Sequence, residues 1–126
     1  MQTLKLDLNY PSREMKSYVR DGNEIHPTPQ QLTWTLINAG FQKKYEKGTS
    51  RQNLKMIGKI IEKILGDSDE VTKTEVELSD EQFNFIYETI TTVEYHPAYS
   101  TVYLIFCDYL DAIKIKSEQL LASDNT

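Results

Sequence analysis

Two histidines and one cysteine are the side chains with the most obvious catalytic or metal-binding chemistry. His26 and His96 each precede a proline, and residues before proline favour extended backbone, which explains both positions without chemistry. Two histidines without cysteine partners make a poor zinc site. Cys107 lies eleven residues beyond His96, about three helical turns away, so a cysteine–histidine dyad is not expected. We predict that the chain holds no metal and no cofactor.

Other catalytic patterns are missing from the sequence as well. The five glycines form no phosphate-binding loop, and no serine stands in the Gly-x-Ser-x-Gly pattern of a nucleophile elbow. A cysteine in an apolar helix is expected to pack as a small hydrophobic side chain, because a nucleophilic thiolate needs a base and an electropositive setting. We predict that the chain is not an enzyme and that its surfaces carry its function.

Four basic residues recur at every fourth position along the second predicted helix. They are Arg51, Lys55, Lys59 and Lys63, which we call the basic row. This spacing places them in one line on the helix surface. Only Glu62 interrupts the positive charge. Like charges four residues apart destabilise an isolated helix by about 0.2–0.5 kcal/mol per pair, so something is expected to relieve them.

Two interpretations of the basic row are open. It is either a solvated helix face, neutralised by the protein's own acidic half, or a patch that binds phosphates or an acidic protein surface. Residues 1–65 carry a net charge of +5 and residues 66–126 a net charge of −10, within a total of −5. Nucleic-acid binding is disfavoured, because the chain is acidic and contains no zinc-finger, ribonucleoprotein or helix-turn-helix pattern.

The connector that follows the second helix is rich in carboxylates. Counting from Asp67, Thr72 occupies the sixth position, where a calcium-binding EF-hand needs glycine, and Leu78 the twelfth, where it needs glutamate. A solvated acidic loop is therefore the favoured interpretation, and a surface that mimics a nucleic-acid backbone is the alternative. The carboxylates that we assign to partner binding, here called the acidic segment, are Asp67, Asp69, Glu70, Glu75 and Glu77.

Tyr95, Tyr99 and Tyr103 recur at every fourth position around the start of the last predicted helix. Packing in the core is the favoured interpretation of this tyrosine row. Tyrosine also supplies a large contact area at a low cost in side-chain entropy. The alternative interpretation is therefore an interface between copies of this chain, in a homo-oligomer.

Length and composition indicate one globular domain. Of the 126 residues, 39% are apolar and 26% charged, which is ordinary for a domain that buries its own core. A single cysteine excludes an internal disulfide, as is usual in a reducing compartment. Charge at Lys5 and Asp7 argues against a signal peptide, and no apolar run has the length of a membrane span. A cytoplasmic location and no membrane contact are expected.

The elements that position these residues begin with a small β region. Three leucines alternate with polar residues over residues 4–9, which is the pattern of a half-buried strand. Pro11 is expected to end that strand, since proline cannot continue a ladder of hydrogen bonds. Asp21-Gly22 between short apolar stretches predicts a hairpin turn. We assign residues 1–27 to this β element.

Four helices are predicted over residues 28–122, followed by a disordered tail at 123–126. A short strand is expected at residues 75–78. The last helix, residues 97–121, is apolar over a wide arc and is therefore expected to be central or partly in an interface. The fold class is α+β, mainly α, with a short N-terminal hairpin or strand element packed on about four helices. The signals that start and stop the helices are Thr28-Pro29, Gly48, Ser50, Gly66, Ser79 with Gln82, and His96-Pro97.

The order of these features resembles that of small uncharacterised accessory proteins encoded by phages and prophages of bacteria. The similarity covers residues 3 to about 114. It rests on Val76-Glu77-Leu78-Ser79-x-Glu81 at the start of the third helix, followed by the break at His96-Pro97. The resemblance implies a phage-encoded protein of the host cytoplasm, and it brings no catalytic residues with it.

These observations predict a phage-type accessory protein that binds another protein, from the host or the phage, and inhibits or redirects a host factor. The basic row and the acidic segment are the expected contact residues. One alternative is a homo-oligomeric protein of virion assembly that associates through the tyrosine row. A further alternative is a regulator that binds nucleic acid.

Overall fold

The fold is given by a computed structural model that describes residues 3–9, 18–25, 29–68, 71–95, 97 and 100–124. It is mainly helical with two small antiparallel sheets, which confirms the predicted α+β class. No helix in these ranges combines the length and the apolar character needed to cross a membrane. The strands are β1 (Thr3–Asp7), β2 (Tyr18–Arg20), β3 (Asn23–Ile25) and β4 (Glu75–Ser79), and the helices are α1 (Pro29–Lys44), α2 (Arg51–Leu65), α3 (Asp80–Thr92) and α4 (Ser100–Asp124).

The predicted hairpin is formed by β2 and β3. The two strands pair antiparallel, with Arg20 opposite Asn23. The two residues of the turn both have positive φ, 52° at Asp21 and 79° at Gly22. Two positive φ angles are characteristic of a type I′ turn, for which Asp-Gly is a favoured pair because both residues tolerate this backbone.

The second sheet joins β1 to β4, from Leu4 opposite Leu78 to Asp7 opposite Glu75. The short strand expected at residues 75–78 is therefore confirmed. Its pairing with β1 means that the β structure is not confined to residues 1–27, because one of its strands lies between the second and third helices. Alternation along a strand indicates that the segment is extended, but it does not indicate the partner.

Local signals set most helix ends. The Ser50 hydroxyl accepts a 3.1 Å hydrogen bond from the Asn53 amide at the start of α2. Gly66 caps the other end, and its amide donates a 2.8 Å bond to the Glu62 carbonyl. Ser79 and Gln82 form the predicted capping box of α3, each side chain accepting from the other residue's amide. These ends are confirmed.

Two helix boundaries differ from the prediction. α1 ends at Lys44 rather than near Gly48, because residues 45–47 form a turn in which the Gly48 amide donates to the Tyr45 carbonyl. α4 begins at Ser100 and continues to Asp124, so residues 123 and 124 are helical and the predicted tail at 123–126 starts too early. The predicted signals at Pro11, Thr28 and His96 lie outside the described residues.

The hydrophobic core lies between the β1–β4 sheet and the helices, and α3 has the central position in it. The main contacts of α3 are with α1, α4, β1 and β4. Its residues Phe83, Ile86 and Ile90 are fully enclosed. The wide apolar arc of α4 predicts a central place for that helix instead. However, α4 leaves Leu104 and Ile115 more than half exposed, so only part of its apolar arc faces the core.

Candidate functional site

The basic row lies on the side of α2 that faces away from the core. Ile60 is fully buried on the inner side, whereas Arg51, Lys55 and Lys59 are exposed. Four residues turn an α-helix by about 400°, so the row winds around the helix by about 40° at each step. This winding carries Lys63, the last member, towards α3, where it is half-buried.

The charge of the basic row is not neutralised by contacts within the described part of the chain. None of its four cations forms an ion pair with a carboxylate there. Lys63 instead donates a 2.7 Å hydrogen bond to the amide oxygen of Gln82, which is a neutral partner. Asp69 and Glu70 of the acidic segment lie outside the described residues. Within the described residues, no contact therefore supports neutralisation of the basic row by carboxylates of the same chain.

The C-terminal end of the basic row contributes to a cleft of about 380 Å³. Lys59, Lys63, Lys73 and Gln82 line this lysine cleft, together with Glu62. Lys73 belongs to the connector before β4, and its ammonium donates a 2.7 Å hydrogen bond to the Lys63 carbonyl. Gln82 is only 8% exposed. The cleft therefore brings three lysines from two segments next to a buried amide of α3.

Apolar surface borders the other end of the basic row. Helical spacing predicts that Leu54 belongs to the buried stripe of α2, but its side chain is 58% exposed. It lies about 60° around the helix from Arg51. Ile57 and Ile61 are half-buried against the core on the same flank. The N-terminal half of α2 thus presents an apolar side chain beside exposed positive charge.

Comparison with known proteins assigns no role to the exposed side of α2. No protein-family model, curated protein or solved structure matches this chain.

Two carboxylates of the acidic segment lie on the solvent side of β4. Glu75 and Glu77 are exposed there, opposite Asp7 and Lys5 of β1. Asp67 is exposed just beyond the end of α2. No ion pair connects any of these three carboxylates to the basic row within the described residues. Within the described residues, the basic row and the acidic segment are therefore not joined by an ion pair.

Two members of the tyrosine row pack against each other. The ring centroids of Tyr95 and Tyr103 are 4.5 Å apart. The Tyr95 hydroxyl donates to the Leu36 carbonyl at 2.7 Å, and the Tyr103 hydroxyl donates to the Ile90 carbonyl at 2.9 Å. Burial raises the pKa of both tyrosines, that of Tyr103 to about 12. Tyr99 lies outside the described residues. These contacts agree with core packing, and an interface between copies stays a prediction.

The surroundings of Cys107 favour its protonated thiol. Burial is the largest cause that raises the pKa of its thiol; Asp111 and Asp108 raise it further, while a hydrogen bond with Tyr103 lowers it. A protonated thiol is a weak nucleophile. Both histidines, His26 and His96, lie outside the described residues. Within the ranges that the structure covers, no three His, Cys, Asp or Glu side chains are grouped so that they could hold a metal ion.

A second groove, of about 510 Å³, lies between α3 and α4. Its lining includes Asp80, Glu88, Glu118 and Lys114. One carboxylate oxygen of Asp80, Oδ1, is buried without a hydrogen-bond partner among the described residues. Asp80 is the first residue of α3, where the helix dipole favours negative charge. The dipole explains an acidic residue at this position, and the groove is not assigned a ligand.

Sequence reasoning missed three residues that shape the exposed side of α2 and its cleft. Lys73 is an isolated lysine within an acidic stretch, and no periodic pattern connects it to α2. Gln82 is recognisable as part of a capping box, but its amide oxygen also accepts from Lys63, which helix signals do not indicate. Leu54 fits the helical period of the buried stripe, and only the packing of α2 shows that it is exposed.

Proposed function

We propose that this chain is a protein-binding accessory factor whose docking surface is the exposed side of α2. The observation that carries the proposal is the exposed charge of Arg51, Lys55 and Lys59, which no carboxylate of the described residues neutralises. Beside that charge, Leu54 offers apolar contact area. A partner surface with carboxylates around an apolar pocket complements this side of α2 in both charge and polarity.

Three physical effects favour such a complex. Positive charge accelerates association with an acidic surface, because the two attract each other before contact. Burial of the Leu54 side chain contributes about 25 cal/mol of favourable binding free energy for each Å² of apolar surface removed from water. Partner carboxylates also relieve the mutual repulsion of the row, whose cations lie about one helical turn apart. The repulsion therefore destabilises α2 in the free protein, and binding of the partner removes it.

The resemblance to phage-encoded accessory proteins supports the biological side of the proposal. A small factor in the host cytoplasm that covers an acidic surface of a host protein inhibits or redirects that protein without catalysis. The acidic segment, with Glu75 and Glu77 exposed on β4, is then available as a second contact surface for a basic partner. No cofactor is required for either contact.

Partner capture by charge-reversed variants tests the proposal. The wild-type chain, Lys55→Glu and Lys59→Glu are used as baits in a bacterial lysate treated with nuclease, and captured proteins are identified by mass spectrometry. Each substitution is expected to abolish capture of the partner that the wild type retains. Lys116→Glu is the matched control, because Lys116 is also an exposed lysine of a helix and its reversal changes net charge equally.

Salt dependence separates the outcomes of this experiment. Capture through the basic row is expected to weaken as salt rises, because screening shortens the reach of exposed charges. Equal capture by Lys55→Glu and Lys116→Glu, unchanged by salt, would contradict the proposal. A gel shift of nucleic acid at low salt that disappears in Lys55→Glu would instead favour the nucleic-acid alternative.

Self-association through α4 is a second candidate function. Leu104 and Ile115 are 59% and 56% exposed, and a spacing of eleven residues places them on one line of the helix. Sedimentation velocity over a range of concentrations tests it: Leu104→Ser is expected to shift the chain towards monomer, whereas Leu54→Ser is not. A wild-type chain that stays monomeric at high concentration would contradict this candidate.

A further inference from the structure

The lysine cleft lies between the C-terminal half of α2, the connector before β4 and the first turn of α3. Lys59, Lys63 and Lys73 line it with a single carboxylate, that of Glu62, and the amide of Gln82. The side chains lining the cleft thus carry a net charge of +2 at neutral pH. No ion pair within the described residues offsets this charge.

Two of the three ammonium groups are already held in place. Lys63 donates to Oε1 of Gln82 and Lys73 to the carbonyl of Lys63, both at 2.7 Å. An ammonium group has three N–H donors, so each of these lysines keeps two for a ligand. Since the hydrogen bonds restrict both side chains before a ligand arrives, binding requires less ordering of the site.

Gln82 adds a neutral donor to the same cleft. Its Oε1 accepts from the Ser79 amide and from Lys63, which fixes the orientation of the amide group. The amide NH₂ group has no hydrogen-bond partner among the described residues. A buried amide that has donors left over and lines a positive cleft is suited to an oxyanion with several acceptor oxygens.

We propose that the lysine cleft is a binding site for a phosphate dianion, either free phosphate or the phosphate group of a small phosphomonoester. A dianion matches the net charge of the cleft, which a single carboxylate does not. Lysine binds phosphate as a point charge, without the planar geometry that arginine prefers. This site does not rest on the protein-docking function, because the two surfaces share only Lys59. The cleft otherwise uses the side of α2 that faces α3, and its test variants, Lys73→Gln and Glu62→Gln, lie outside the docking surface.

The test is a titration of the ¹⁵N-labelled chain with inorganic phosphate and, separately, with glycerol 2-phosphate, followed by NMR. Saturable shifts of the Gln82 side-chain amide and of the Lys73 backbone amide are expected. Lys73→Gln is expected to weaken binding roughly tenfold, because it removes one charge-assisted donor. Glu62→Gln is expected to tighten binding, because it removes the only carboxylate of the cleft. Saturation by one probe and not by the other identifies the source of the phosphate.

Two controls make the result decisive. Lys116→Gln removes an equal charge from α4, outside the cleft, and is expected to leave binding unchanged. Binding of glycerol 2-phosphate is also expected to strengthen as pH rises through the second pKa of the phosphate group, at about 6. Shifts that do not saturate with either probe, or equal weakening by Lys73→Gln and Lys116→Gln, would overturn the proposal. Glu62→Gln also tests it independently, since weaker binding in that variant contradicts the charge argument.

Discussion

The Asp7 amide donates a 2.7 Å hydrogen bond to the hydroxyl of Tyr109, 102 residues further along the chain. Just beyond the β1–β4 ladder the Leu8 amide donates a 2.9 Å hydrogen bond to the Thr74 carbonyl. Because hydrogen-bonded and non-hydrogen-bonded pairs alternate between antiparallel strands, Asp7 and Glu75 direct their backbone groups away from each other. The amide of Asp7 therefore faces away from β4, and α4 supplies the acceptor that a third strand would otherwise provide. This bond fastens the free edge of β1 to the last helix.

Tyr109→Phe is expected to destabilise the protein by about 1–2 kcal/mol, because the partly buried Asp7 amide loses its acceptor. Urea unfolding measures the loss in free energy of unfolding. Amide exchange of Asp7 by NMR should accelerate in the variant, while that of Leu6, whose partner is on β4, should change less. An unchanged exchange rate at Asp7 would show that the tyrosine hydroxyl does not protect this edge.

Two helical glycines should respond to alanine in opposite directions. A Cβ at Gly40 would lie 2.7 Å from the Tyr95 hydroxyl and 3.2 Å from Cγ2 of Thr89. Because that hydroxyl is bonded to the Leu36 carbonyl, it cannot move freely, and Gly40→Ala is expected to cost about 1–2 kcal/mol. A Cβ at Gly58 meets nothing within 4 Å, so Gly58→Ala is expected to stabilise by about 0.5–1 kcal/mol.

Thermal unfolding of the two glycine variants checks this pair. Tyr95→Phe provides a further control, since removal of the hydroxyl should make Gly40→Ala less costly in the double variant than in the single one. Equal effects of alanine at Gly40 and Gly58 would contradict the close approach of α1 to Tyr95.

Charge reversal on the solvent side of β4 should depend on the residue opposite. Glu75 lies opposite Asp7, a like charge, and Glu77 lies opposite Lys5, an unlike one. Glu75→Lys is therefore expected to stabilise by about 0.5 kcal/mol, and Glu77→Lys to destabilise by a similar amount. The two variants have equal net charge, so a difference in free energy of unfolding reports the register of β1 against β4. Identical effects would contradict that register.

High pH should destabilise the fold through the half-buried pair Tyr95 and Tyr103. Burial raises the pKa of Tyr103 to about 12 and also raises that of Tyr95, whereas an unfolded tyrosine titrates near pH 10. Above about pH 10 the unfolded chain releases protons that the folded chain retains, so the stability present below pH 10 is lost as pH rises towards 12. Urea unfolding from about pH 8 to pH 11 measures this decline. Tyr103→Phe should make the decline shallower, and parallel profiles would exclude a role for Tyr103.

Signals that act over a few residues could be predicted from the sequence. The turn at Asp21-Gly22, the cap at Ser50 and the capping box at Ser79 each depend on neighbours within one helical turn or one hairpin. The pairing of β1 with β4 could not be predicted, because a two-residue period fits any partner with a matching apolar face. Likewise, the helical period places Leu54 and Ile64 in one apolar stripe of α2, and only the three-dimensional packing separates the exposed residue from the buried one.

For the same reason, only part of the candidate site could be predicted from the sequence. The four-residue spacing of the basic row is a local pattern, and the structure places its four cations on α2, three of them exposed. The winding of that line towards α3 brings Lys63 to Gln82, and the connector then adds Lys73. These contacts join three segments, so they depend on tertiary structure that periodicity does not contain.

The pairing of β1 with β4 has a consequence for synthesis on the ribosome. β1 leaves the ribosome before its partner has been translated, since β4 begins only at Glu75. At about 5–20 residues per second, the delay between the two strands is roughly 3–14 s. Throughout that delay the β4 partners of Leu4 and Leu6 have not been translated, although hairpins and helices form in microseconds. β1 therefore pairs with β4 only late in the synthesis of the described residues, and its apolar side chains are accessible to chaperones and to aggregation during this interval.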